Sequence, residues 1–123
     1  MEDFVPFELA VKLKEKGFNL GIYRYYENKE LKWSNSPWLE PKYNDFRHNI
    51  ISAPTISQAL KWLRKEKDIY ITIFIDDDSD IPVTYEIYNN TECVCTHQGE
   101  YFTLNDWNKC ELRAIEYAID NLI

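Results

Sequence analysis

Ser52-Ala53-Pro54-Thr55, then Ile56-Ser57-Gln58-Ala59-Leu60-Lys61-Trp62-Leu63-Arg64 and, after a short charged break, Ile69-Tyr70-Ile71-Thr72-Ile73-Phe74-Ile75, is the stretch that decides the fold class. Thr55 and Gln58 have the spacing of a capping box, in which each side chain satisfies the other's backbone N–H, and Pro54 breaks the chain before them. Ile56, Ala59, Leu60 and Leu63 then recur at helical spacing. Lys61, Arg64, Lys65 and Lys67 face outward or lie toward the negative end of the helix dipole. The following run places four Ile on one face of a strand and Tyr70, Thr72 and Phe74 on the other, the pattern of a central strand covered on both sides. A capped helix running into such a strand implies a helix packed on a sheet.

Outward from that junction the chain alternates between the same two periods. A first helix is expected over residues 6–16, with Pro6 in its first turn, Phe7, Ala10 and Leu13 along one side, and Gly17 as its stop. A strand near residues 21–27 turns at Asn28-Lys29 and returns through Leu31 and Trp33 as a hairpin. Residues 34–54, with Pro37, Pro41 and large aromatics, read as a long loop. Beyond Asp76-Asp77-Asp78-Ser79-Asp80, Val83, Tyr85 and Ile87 alternate with Thr84, Glu86 and Tyr88 as in a half-exposed strand. Asn89-Asn90 allows a reversal into residues 91–96, and Gly99 another into residues 101–104. A closing helix starts near Asn105 or Asp106, with Leu112, Ile115, Ile119 and Leu122 as its main stripe and Trp107, Cys110, Ala114 and Ala118 widening it.

The expectation is a single α+β domain over residues 1–123. It would hold an antiparallel sheet of four to six strands with three helices packed mainly on one face, in the order αββαβββα. An echo at an offset of 49 pairs Lys12 with Lys61, Leu20 with Ile69 and Tyr25 with Phe74. It fits a duplicated αββ unit, or simply the likeness of two amphipathic helix–strand junctions.

Charge is distributed unevenly. Residues 1–54 balance eight basic against eight acidic side chains, so the whole net charge of −7 falls on residues 55–123. Such a chain repels phosphate backbones, which disfavours double-stranded nucleic acid and favours a partner with a basic surface. The start of the sequence is acidic, without the apolar core of a signal peptide, and no run reaches the ~20 apolar residues of a membrane span. A cytoplasmic location is expected, and an odd count of three cysteines fits reduced thiols.

Chemistry-bearing residues are scattered. Cys93, Cys95 and His97 alternate along one expected strand and with Cys110 would offer four soft ligands, but the Cys-x-x-Cys knuckle of structural zinc sites is missing, and buried core thiols explain them as well. Asp76, Asp78 and Asp80 match the first ligands of a calcium loop, yet Ile81 stands where that loop needs Gly and Ile87 where it needs Glu. His48 and His97 lie near no nucleophile elbow, and the chain has no Gly-rich phosphate loop. No catalytic residue, metal or cofactor is therefore assigned. Tyr23, Tyr25, Tyr26, Trp33, Trp38, Tyr43 and Phe46, interleaved with Arg24, Lys32, Lys42 and Arg47, have the composition of an interface hot spot or of a single-strand nucleic-acid platform, as well as of a sheet cover. Trp33, Trp38 and Tyr43 are the expected partner-binding residues.

Three pieces carry a family likeness: Phe4-Val5-Pro6-Phe7-Glu8 with Gly17-Phe18, Ser52-Ala53-Pro54-Thr55 with Trp62-Leu63-Arg64, and the closing helix with Glu111, Ala114 and Ala118. Together they resemble a family of small acidic proteins encoded by phages and mobile elements of gut bacteria, whose members have no assigned activity. Relatives carry an acidic-Pro-Cys step after the Gly-Phe, where this chain has Asn19-Leu20-Gly21. The resemblance implies an accessory protein of a mobile element and transfers no catalytic residue. The function expected is a non-enzymatic interaction or regulatory protein that binds a host or phage protein through the aromatic loop and the acidic half. The alternative is a nucleic-acid-related role, as a single-strand binder or an acidic decoy for a DNA-binding protein.

Overall fold

The computed structural model describes residues 3–18, 22–38, 50–76, 81–90, 92–96 and 100–123. Among the described residues three helices, α1 (Phe7–Glu15), α2 (Ile56–Lys67) and α3 (Trp107–Asn121), alternate with six strands. These are β1 (Ile22–Glu27), β2 (Glu30–Trp38), β3 (Ile50–Ser52), β4 (Ile69–Ile75), β5 (Val83–Asn89) and β6 (Glu92–Thr96). The fold class is α+β. The strands form two antiparallel three-stranded sheets, ordered β2-β1-β3 and β4-β5-β6, rather than the one sheet expected. The chain divides into two compact units, Met1–Ala59 and Leu60–Ile123.

In the first unit α1 ends as its sequence dictates. Gly17 sits at φ +94°, where a side chain is strained, its N–H donates to Lys14 O at 3.0 Å, and the Phe18 N–H donates to Leu13 O at 3.0 Å. That pair of bonds satisfies the last carbonyls of the helix. Leu9, Ala10 and Leu13 are buried. Asn28 and Lys29 both take positive φ, the two-residue turn that fits the twist of a hairpin. β3, Ile50–Ser52, was expected to be loop; it pairs with β1 through Tyr25 opposite Ser52 and Tyr26 opposite Ile51. Three residues are too few to show a period, so only the pairing partner identifies the strand. The N-terminal stretch is stitched to the approach of α2: Val5 N–H donates to Pro54 O at 2.9 Å and Ile56 N–H to Asp3 O at 3.0 Å. The capping box forms as written, with Thr55 N–H donating to Gln58 Oε1 at 2.8 Å and Gln58 N–H to Thr55 Oγ1 at 3.1 Å.

In the second unit the expected roles of two strands are exchanged. β5 is central and β4 is an edge. Val83, Thr84 and Tyr85 are all fully buried, while Tyr70 and Ile75 of β4 are 41% and 52% exposed. Composition suggested the reverse, but position within a sheet follows connectivity: β5 has a hairpin on either side and α3 lies against it. Residues 101–104, expected as a strand, make only a bridge. Val83 N–H donates to Phe102 O at 2.9 Å, Phe102 N–H to Val83 O at 2.7 Å, and a 3-10 turn begins at Leu104. The Thr84 hydroxyl is satisfied by Glu100 O at 2.9 Å. The buried stripe of α3 is Cys110, Ala114, Ile115, Ala118 and Ile119, so small residues lie at its centre, while Leu112 and Leu122 are half-buried. The offset of 49 carries β1 onto β4, yet β1 is central and β4 an edge, so the shared rhythm does not extend to topology.

Candidate functional site

The β1–β2 hairpin builds an aromatic and cationic patch. Its turn sets the register, which places Arg24 opposite Trp33 and Tyr26 opposite Leu31 on one face. Tyr26 anchors that face. It is buried, its hydroxyl donates to Val5 O at 2.6 Å, and its ring meets Phe7 edge-on at 5.5 Å. Burial, with the Glu8 carboxylate adding to it, raises the Tyr26 pKa, so this phenol stays protonated. Beside it the Arg24 guanidinium lies 3.8 Å from the Trp33 ring centroid and 5.1 Å from that of Phe4. Its Nε makes no hydrogen bond among the described residues, and the two ring faces lie against this cation. Trp33 remains 61% exposed and Leu31 41%. Lys32, on the opposite side of the strand, stays at the surface near Glu27 and Glu30, at 3.5 and 3.9 Å.

Of the three expected partner-binding residues, the structure places Trp33 in this patch. Trp38 closes β2, its backbone opposite Ile22. Tyr43 lies outside the described residues, as does most of the expected 34–54 loop, whose two ends are the strands β2 and β3. The sequence marks Arg24 only as one of the basic residues interleaved with the aromatics, and Leu31 only as part of the hairpin. The turn at Asn28-Lys29 held the signal, because a two-residue turn fixes which residues of the two strands face each other.

The thiols occupy different settings. Cys93 is exposed and Cys110 fully buried. Burial, with Glu111 and Glu100 adding to it, pushes the Cys110 thiol up to about 12, so it stays protonated and a poor nucleophile at neutral pH. An extra residue in β6 puts Cys93 opposite Tyr88 and Cys95 opposite Ile87, so the even alternation assumed for this strand is interrupted by a bulge. His48 and His97, and Asp78 and Asp80 of the calcium-like run, lie outside the described residues. Among the described residues no group of three or more His, Cys, Asp or Glu is placed to hold a metal ion, and no helix is long and apolar enough to cross a membrane. Comparison with protein-family models, curated proteins and solved structures finds no match.

Proposed function

We propose that this chain is a non-enzymatic interaction protein that binds a partner protein through an aromatic surface and its acidic half, as an accessory protein of a phage or mobile element. The observation that carries the reading is Trp33: an indole 61% exposed, backed by a guanidinium at 3.8 Å and flanked by an exposed Leu31. Leaving a large aromatic in water gains the monomer little, whereas Trp with Arg at the centre of an interface supplies a large share of binding energy. The ladder pairing of Arg24 and Trp33 holds both side chains in place before a partner arrives, which lowers the entropy lost on binding. Electrostatics selects among partners: the net charge of −7 favours one with a basic contact surface.

The test is quantitative capture from a bacterial host lysate with the wild type and with Trp33→Ala, both checked for folding by circular dichroism. A protein retained by the wild type and depleted about tenfold or more by the variant supports the reading, as hot-spot truncations cost 2 kcal/mol or more, about 30-fold. Equal capture by both chains removes Trp33 from the interface. A single-stranded oligonucleotide retarded by the wild type and released by salt would move the assignment to the nucleic-acid role.

A further inference from the structure

The seven residues of β4 present a second binding feature, in the unit that does not contain Trp33. The hydrogen bonds at its two ends fix the phase of the ladder: Asn90 N–H donates to Asp68 O at 3.0 Å and Asp76 N–H to Pro82 O at 2.7 Å. Both bonds join directly opposed residues in an unbroken register that runs from Ile69 opposite Asn89 to Ile75 opposite Val83. Opposed pairs alternate between bonded and non-bonded, so Tyr70, Thr72 and Phe74 exchange bonds with β5. The N–H and C=O groups of Ile71, Ile73 and Ile75 therefore point away from β5, toward an edge that has no strand beside it among the described residues.

Proteins usually blunt such an edge with charge, proline, a bulge or brevity. The other edges here follow that rule: β3 has three residues, β6 carries a bulge and begins with Glu92, and β2 carries Glu30 and Lys32 and an irregularity of register. β4 has none of these devices. It is uncharged and without register shift, made of β-branched and aromatic residues, with Tyr70, Thr72 and Ile75 exposed.

We propose that the open edge of β4 binds an extended segment of a partner protein as an added antiparallel strand, and that the segment has an apolar, β-branched centre with Lys or Arg at both ends. Backbone pairing supplies the affinity of strand addition and side-chain positions supply the selectivity. Charge sets the flanks. Asp68 and Asp76 bracket the strand, and the unit Leu60–Ile123 holds the entire −7, with six basic against thirteen acidic residues. The same charges act against a second copy of this chain: centring two β4 strands on Thr72 would set Asp68 of each opposite Asp76 of the other, and like charges directly opposed are destabilising.

The experiment uses fluorescence anisotropy of the full chain with the labelled peptide Lys-Lys-Val-Thr-Val-Thr-Val-Lys-Lys. The expected result is saturable binding, about tenfold weaker for the version with Glu in place of Lys, the difference shrinking with added salt. Methylating the peptide's amides on alternate residues gives two series, of which only one faces β4; that series should lose about tenfold or more, and the other should bind. Ile73→Pro removes an outward donor without touching the bonds to β5, and should abolish binding while circular dichroism stays that of the wild type. Because the methylated peptides are read on the wild-type chain, the test survives a variant that fails to fold. No binding at about 1 mM, equal binding of both methylated series, or indifference to the sign of the flanks overturns the proposal. So does a wild-type dimer in sedimentation equilibrium that Ile73→Pro converts to monomer, since the occupant would then be a second copy.

Discussion

At the scale of single residues, side chains of one type behave oppositely because their surroundings differ. Cys93 faces water and Cys110 lies at zero exposure on α3. Alkylation of the native chain with iodoacetamide at pH 8 should modify Cys93 and spare Cys110, and peptide mapping by mass spectrometry reads each site separately. Modification of both at one rate would contradict the burial of α3. The same burial makes the fold sensitive to alkali. Cys110 has a folded pKa raised from 9.0 to about 12, so its contribution is complete below pH 9 and is lost as pH climbs toward 12. Tyr26, raised above its ordinary 10.0, acts in the same sense at higher pH. Thermal melts should thus fall in midpoint across that window, and Cys110→Ala should flatten the fall.

At the scale of elements, what was legible in the sequence was whatever the chain settles with its own neighbours. The Thr55–Gln58 box, the stop at Gly17 and the turn at Asn28-Lys29 all involve residues within a few positions of one another, and all three form. Thr55→Ala should therefore cost about 1 kcal/mol, the usual value of such a cap, read as a lower midpoint in urea with an unchanged slope. A loss below a few tenths would mean that the backbone bond from Ile56 to Asp3 already holds the start of α2. Features set by distant partners were not legible. β3 exists because β1 accepts it, and residues 101–104 fail to form a strand because only Phe102 meets Val83 before the chain turns toward α3. The exchange of roles between β4 and β5 has the same origin: Ile69–Ile75 is greasier, yet Val83–Asn89 has neighbours on both sides. In the candidate site, Trp33 was readable as an aromatic beside basic residues, but its stacking on Arg24 needed the register.

At the scale of the whole molecule, the division into Met1–Ala59 and Leu60–Ile123 coincides with a division of charge, neutral in the first and −7 in the second. Self-repulsion loosens a compact state and salt screens it. Raising salt to about 0.5 M should slow hydrogen exchange of the β5 amides while leaving those of β1 unchanged, as segment-resolved mass spectrometry would record. Equal slowing in both would indicate a general salting-out effect.

The stitching of residues 3–5 to residues 54–56 bears on the order of events during synthesis. Val5 cannot reach Pro54, nor Tyr26 its neighbour Ile51, until more than half a hundred residues have left the ribosome. The later sheet, by contrast, is a meander in which each strand joins the one made just before it. Nascent Met1–Ala59 thus holds its opening residues unengaged until residues 51–56 emerge, whereas Leu60–Ile123 can add each strand to the one before it as the chain lengthens.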